Sequence, residues 1–234
     1  MTNLVDIIRA IVSEIDREVK VLSVASLGNN EAKATVCSTK YITKCKIVED
    51  SNGNQYEVIN FERDDFVDLK PVGNAPEFND TVVIATPITY LHGTPASVNN
   101  EYLTIESRET KKTPFIWLLE TYEEQSLESD SSIEAAYTMR LFFMEGAVEE
   151  QANTKHNDEA IKPMKSLTEL FLDVIREDFN FKTLSDVTRT PRPRFGVEVL
   201  NRGSDRRIID AALSGYEMRL TLEVYDTTLC ETNC

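Results

Sequence analysis

Two stretches of alternating apolar and polar residues, one on either side of an amphipathic segment, constrain this chain more than any other feature. The first, residues 132–145, places on one face Ile133, Ala135, Tyr137, Met139, Leu141 and Phe143. The second, residues 215–226, does the same with Tyr216, Met218, Leu220, Leu222 and Val224. A two-residue period is typical of a half-buried β-strand, so we predict two long strands that each bury one face.

The segment between these strands has the spacing of a helix. Its apolar residues recur three or four positions apart over residues 161–179: Ile161, Met164, Leu167, Leu170, Phe171, Val174 and Ile175. Such a stripe is wide enough to cover a sheet. A similar stripe over residues 4–19 predicts a second helix. The expected fold class is therefore α+β, with two helices packed on a twisted, mainly antiparallel sheet.

Residues 21–69 have a different pattern, with short runs of β-branched and aromatic residues. Asn52-Gly53 lies between two of these runs, and this dipeptide readily supplies the positive φ angles of a hairpin turn. We therefore predict a β-meander of four or five strands. Residues 71–80 break the pattern. Residues 81–91 are predicted to form an apolar strand with Pro87 inside it, and residues 92–112 are predicted to be a polar arm.

Without the meander and the arm, the chain reads helix, strand, strand, helix, strand, strand. Such an order closes on itself as one compact unit. We therefore predict a core α+β domain made of residues 1–20 and 113–234. Residues 21–112 are predicted to be an inserted β-rich subdomain with an extended arm.

Charge limits the classes of partner. The chain has 40 acidic and 25 basic residues and a net charge of −15. Phosphate binding needs a basic face, so the charge argues against nucleic-acid binding by the general surface, although it does not exclude a local patch. One basic cluster stands out: Arg189, Arg192, Arg194, Arg202, Arg206 and Arg207. It either pairs with acidic residues of its own fold or of a neighbouring copy, or contacts DNA phosphate.

The cysteines and histidines do not predict a metal site. The four cysteines are Cys37, Cys45, Cys230 and Cys234. No histidine lies near either pair, so incidental reduced thiols are the better interpretation. His92 and His156 both fall in predicted polar loops. No metal or other cofactor is expected.

Catalytic motifs are also absent from the sequence. Each of the eight glycines is isolated, so no phosphate-binding glycine loop and no Gly-x-Ser-x-Gly elbow is present. Acidic pairs such as Asp64–Asp65 and Glu123–Glu124 point to opposite sides of an extended backbone and are expected to be solvated. Trp117 lies in an apolar run and is expected in the core. We predict no catalytic residue and a protein that is not an enzyme.

Four segments resemble the tail-terminator and neck-ring proteins of tailed bacteriophages. They are PFIWLLE (114–120), IEAAYTMRLFF (133–143), IKPMKSL (161–167) and MRLTLEVYD (218–226), and the resemblance covers about half of the chain. Proteins of that family are small α+β proteins, with two helices on a twisted sheet, that stack as rings between portal and tail. The insertion at residues 21–112 is larger than a minimal terminator has, which leaves open which ring of the stack this chain forms.

The resemblance implies a structural protein of the virion, assembled in the host cytoplasm. Its partners would be other copies of itself, in a six-fold or twelve-fold ring, and the neighbouring neck, tail and portal proteins. Contact with DNA in the channel would be non-specific at most. In such a ring we expect the arginine cluster at an interface with acidic surfaces, such as residues 120–130 of an adjacent subunit or ring.

A different class remains open, namely a cytoplasmic adaptor or binding module with no catalytic activity. The longest apolar runs are far too short to span a bilayer, so no contact with a membrane is expected for either class.

Overall fold

The structure is a computed structural model that describes residues 3–104, 113–126, 133–146, 157–178, 181–183, 187–195, 197–199, 205–207 and 213–225. Two β assemblies dominate these residues. One is a closed six-stranded barrel, and the other is a seven-stranded sheet on which the helices pack.

The barrel is formed by strands from residues 18–84. They are β1 (Glu18–Gly28), β2 (Glu31–Val36), β3 (Ile47–Glu49), β4 (Gln55–Glu62), β5 (Phe66–Pro71) and β6 (Val82–Ile84). The strands pair in the order β1-β2-β5-β4-β3-β6, and β6 closes the barrel by pairing antiparallel with β1, Val83 opposite Val19. Closure satisfies the backbone groups that a free sheet edge would expose.

The hairpin predicted at Asn52-Gly53 is confirmed. Strands β3 and β4 pair antiparallel with Glu49 opposite Gln55, and Gly53 has a φ of 80°. The Asp50 carboxylate accepts hydrogen bonds from the backbone N–H groups of Asn52 at 2.9 Å and Asn54 at 2.8 Å. Burial opposes ionisation of Asp50, but the hydrogen bonds outweigh it and lower the pKa of this carboxyl. The charged form therefore stabilises the turn.

The sheet combines one strand from the predicted insertion with six from the rest of the chain. The first is β7 (Thr89–Gly93). The others are β8 (Phe115–Leu119), β9 (Glu123–Ser126), β10 (Ile133–Gly146), β11 (Phe181–Thr183), β12 (Thr188–Phe195) and β15 (Leu213–Tyr225). Between β12 and β15, strands β13 (Val197–Val199) and β14 (Asp205–Arg207) form a separate pair. The order is β11-β15-β10-β8-β7, with β12 also on β15 and β9 also on β10. All pairs are antiparallel except β7 with β8.

The two long predicted strands are confirmed as β10 and β15. They pair with each other along their length, Met139 opposite Leu220 and Leu141 opposite Met218. Gly215 leaves no room for a side chain between the strands, because a Cβ at this position would lie 1.8 Å from the Phe143 carbonyl oxygen. A side chain at residue 215 would therefore require the backbone to move.

Helices α1 (Leu4–Ser13) and α3 (Lys162–Glu177) cover the apolar face of the sheet, and a π-helical turn (Asn157–Ile161) leads into α3. The predicted helix at 161–179 is thus confirmed over α3. Helix α1 ends at Ser13 and not at residue 19, because Asp16 Oδ1 accepts a hydrogen bond from the Glu18 N–H at 2.9 Å. Such a local bond competes with the helix, and Val19 then enters the barrel interior.

A third helix, α2 (Pro95–Thr104), occupies about half of the predicted arm, of which residues 105–112 lie outside the described residues. Thr94 Oγ1 accepts a hydrogen bond from the Ser97 N–H at 3.2 Å, and Pro95 begins the helix. A threonine followed by a proline is a helix-start signal that the polar composition obscured. Val98 buries itself against the second face of the sheet with Leu91 and Trp117.

The predicted fold class, two helices on a mainly antiparallel sheet with an inserted β-meander, is wrong. The described residues contain more strand than helix, three α-helices and a closed barrel in place of the meander. The difference arises at residues 81–91, which were predicted to form one strand, at an edge or with a bulge. Pro87 lies between two strands instead, so that β6 closes the barrel and β7 joins the sheet. Proline interrupts strand pairing, which explains why the chain changes from one assembly to the other there.

A buried ion pair connects the barrel to the sheet. Lys46 Nζ, just before β3, lies 2.8 Å from Glu145 Oε1 near the end of β10, and the two side chains are only 9% and 3% exposed. The same ammonium donates a hydrogen bond to the Thr113 carbonyl oxygen at 2.8 Å. A second contact connects the barrel to α3. The Arg63 guanidinium, just after β4, donates a hydrogen bond to the Lys162 carbonyl oxygen at 3.2 Å and also bonds Ser166. These contacts fix the barrel relative to the sheet and α3.

Candidate functional site

Three arginines and one glutamate meet on the sheet face opposite α1 and α3. The register of β10 and β15 sets Arg140 directly across from Arg219, and β12 brings Arg192 beside Gly215. Like charges at facing positions repel each other, so this arrangement requires a carboxylate. Glu217 supplies it, two residues before Arg219 and therefore on the same face. We call these four residues the arginine face.

Every arginine of this face bonds the same carboxylate. Glu217 Oε1 accepts hydrogen bonds from Arg140 Nε at 2.9 Å and from Arg219 Nε at 2.7 Å. Glu217 Oε2 accepts one from Arg192 Nε at 2.8 Å. The Glu217 side chain is 1% exposed, whereas the exposed fractions are 39% for Arg140, 39% for Arg192 and 56% for Arg219. One buried negative charge therefore lies beneath three accessible positive charges.

The arginines determine the charge state of Glu217. Burial favours the neutral carboxyl, but the hydrogen bonds from Arg219, Arg192 and Arg140 outweigh it and lower the pKa of Glu217 to about 2. The folded-state pKa is thus lower than the ordinary value of 4.5. A depressed pKa means that the ionised carboxylate stabilises the fold at and above about pH 5, and that this contribution is lost as the pH falls towards 2.

Glu217→Gln is therefore expected to lower the free energy of unfolding by about 2 kcal/mol at neutral pH, a value reduced for the solvent that screens the exposed arginines. Urea melts of both proteins at about pH 7 and about pH 3 should show that more than half of this difference disappears at the lower pH. Glu101→Gln, at an exposed position of α2, is the matched control and should melt like the wild type. An equal difference at the two pH values would contradict the assignment.

Only some of the predicted interface arginines meet here. Arg192 belongs to the arginine face, while Arg189 bonds Glu169 of α3 on the opposite face. Arg194 lies on β12 and Arg206 and Arg207 on β14, with nothing described of their side chains, and Arg202 lies outside the described residues. Arg189 and Arg192 thus pair within their own fold, which is one of the alternatives that the sequence left open.

The two prolines within residues 183–194 predict an irregular connection, but most of this stretch is strand β12. Pro191 and Pro193 lie two residues apart on this strand, which pairs only with β15 among the described strands. Proline cannot donate a ladder hydrogen bond and is tolerated on edge strands, so its presence does not exclude a strand here.

Sequence reasoning missed Arg140 and Arg219, because it searched for arginines that are close along the chain. The signal was present in the two-residue period itself. Residues 139 and 141, like residues 218 and 220, were assigned to the buried face, so Arg140 and Arg219 between them must point outward. Pairing the two strands then places both arginines together.

An aromatic cluster borders the arginine face and is covered by α2. Trp117 and Phe142 stack with ring centroids 4.7 Å apart, and Phe195 packs against both. Trp117 Nε1 donates a hydrogen bond to the Gly93 carbonyl oxygen at 2.9 Å, which confirms the predicted core position of this residue. The Arg140 guanidinium lies 5.6 Å from the Phe142 ring centroid, so the cluster supports one arginine of the face.

The cysteines and histidines are the remaining candidates for metal binding. Cys37 and Cys45 are exposed free thiols, while Cys230, Cys234 and His156 lie outside the described residues. His92 lies on β7 and not in the predicted polar loop. Within the ranges that the structure describes, no three His, Cys, Asp or Glu side chains form a group that could hold a metal ion.

Comparison with known proteins found no match to this chain among protein-family profiles, curated proteins or solved structures. In the part of the chain that the structure describes, no helix is long and apolar enough to cross a membrane.

Proposed function

We propose that this chain is a structural protein that assembles into a closed homo-oligomeric ring, with six-fold or twelve-fold symmetry, in the neck or tail of a tailed bacteriophage. In this role it joins the portal to the tail around the DNA channel and forms part of the virion. The segments with the family resemblance lie on β8, β10 and β15 of the sheet and on the start of α3, which packs on it.

The arginine face is the observation that carries this proposal. Its three arginines remain accessible around one buried carboxylate, in a chain whose net charge is −15. A local positive surface on an acidic protein is complementary to the acidic surface of another copy or of a neighbour. A contact between two different surfaces of identical subunits is heterologous, and such contacts generate rings when the rotation closes.

The barrel supports the second half of the proposal, which is contact with the next ring. Lys46–Glu145 and Arg63–Ser166 attach the barrel to the sheet and α3, so it is held in a fixed orientation. A subunit that contacts the next ring along the axis needs an extension that is held in one orientation. We assign the barrel to the axial contact.

The DNA channel itself requires no tight phosphate contacts, because DNA must slide through it. A net charge of −15 suits an acidic or mixed wall, with DNA contact that is non-specific at most. A cytoplasmic adaptor or binding module is the competing function, and it has no need of a closed ring.

The test is the assembled mass of the chain when it is expressed together with the genes that flank its own. Mass photometry should find six or twelve copies, and high salt should reduce the assembled fraction because it screens the charged contacts. Flanking genes for a portal, a large terminase and a major capsid protein are expected. A strict monomer in co-expression, together with no copies of the chain in purified particles, would leave the adaptor as the better function.

A further inference from the structure

We infer that the arginine face receives the acidic edge strand β9 of a second copy of this chain, so that adjacent subunits join head to tail. The inference rests on the proposed ring function and identifies the two surfaces that would make the contact. Its positive half is Arg140, Arg192 and Arg219, and its negative half is the exposed Glu123.

Arg192 and Glu123 lie on strands at opposite edges of the sheet. Strand β12, with Arg192, pairs only with β15 among the described strands, and β9 pairs only with β10. Crossing the sheet from β12 through β15 and β10 to β9 takes three strand spacings, or roughly 14 Å. Arg192 and Glu123 of one copy are therefore too far apart to pair with each other, and a second copy can satisfy both.

The register also puts the two halves on the same face. Glu123 lies opposite Thr138, Thr138 lies opposite Thr221, and Arg140 and Arg219 are the next residues but one on those strands. Side chains two positions apart on a strand share a face. A neighbouring copy that places its β9 against the β12 edge thus presents Glu123 from the same side as the arginines.

Side chains and not backbone ladders would make this contact. Pro191 and Pro193 remove two N–H donors from β12, so its edge is poorly suited to accept another strand. Three accessible guanidiniums remain beside it and are geometrically suited to bind carboxylates. Charge pairs of this kind set orientation and partner choice more than they add affinity.

The alternative ligand of the arginines is a DNA phosphate. Phosphate contacts would have to overcome repulsion between DNA and the acidic remainder of the chain. The observations therefore favour a protein carboxylate.

A charge-swap experiment tests the pairing under conditions in which the wild type assembles. Glu123→Lys and Arg219→Glu should each lower the assembled fraction about tenfold, corresponding to loss of one pairing contact. The double variant should recover assembly, since the reversed charges again attract. Arg219→Glu should still fold, because the new carboxylate faces Arg140. Arg219→Gln is a second variant, which removes the positive charge without reversing it. Glu101→Lys is the control for an equal change in net charge on an exposed helix residue.

Three outcomes would overturn the inference. In the first, wild-type rings form and Glu123→Lys assembles as well as Glu101→Lys, which leaves the ring function intact and removes β9 from the contact. In the second, Arg219→Glu rings form normally but particles lose packaged DNA, which places the arginines on the channel. In the third, the wild type itself stays monomeric, and the proposed function fails along with the pairing.

Discussion

Lys46→Met is expected to lower the free energy of unfolding by about 3–5 kcal/mol, because it leaves the buried Glu145 carboxylate without its counter-charge. The side chains of Lys46 and Glu145 are 9% and 3% exposed, so water cannot replace the lost partner. Chemical denaturation monitored by circular dichroism measures the change. Lys44→Met is the matched control, since Lys44 is exposed two residues away, and its effect should stay within about 0.5 kcal/mol.

Adding Glu145→Gln to Lys46→Met should restore part of this loss. The neutral amide keeps an acceptor oxygen for the Thr113 hydroxyl and the Gly146 N–H, which both bond Glu145 Oε1. It also removes the uncompensated charge, which accounts for most of the cost. If the effects of the two substitutions simply add, the two side chains do not interact, and this ion pair does not connect the barrel to the sheet.

Phe171→Ala is expected to cost about 3–5 kcal/mol through lost burial and the cavity that remains. Phe171 is 0% exposed on α3 and meets Phe143 of β10 edge to face, with ring centroids 5.5 Å apart. Its removal therefore disturbs the contact that holds α3 on the sheet. The midpoint of thermal unfolding is the measurement.

Lys165→Ala on the exposed side of the same helix provides the comparison for Phe171→Ala. It should change stability by no more than about 0.5 kcal/mol, since it removes no buried contact. Equal unfolding midpoints for Phe171→Ala and the wild type would show that α3 does not pack on the sheet through this residue.

The long sheet strands and α3 were predictable because each has a strong and uninterrupted period. Leu141 and Met218 fall on the predicted buried face, and Leu167 and Phe171 on the predicted helix stripe. The closing of the barrel was not predictable in the same way. It depends on three residues, Val82–Ile84, that return to pair with β1, and a pairing between strands distant in sequence leaves no local periodicity.

Only part of the candidate site could be predicted from the sequence, for a related reason. A cluster of arginines along the chain drew attention to residues 189–207, but Arg189 and Arg192 lie on opposite faces of β12 and bond different carboxylates. What assembles the arginine face is register across three strands. Register depends on which strands become neighbours, and the order β12-β15-β10 cannot be derived from spacing in one sequence.

Direct imaging of the assembled protein tests the central claim that this chain builds a closed ring. The chain, expressed with its flanking genes and examined by negative-stain electron microscopy, is predicted to give rings with a central hole and six-fold or twelve-fold symmetry in class averages. The same preparation of Glu123→Lys should contain few rings. Particles the size of a single subunit in the wild-type preparation, together with single subunits in material released from purified virions, would contradict the account.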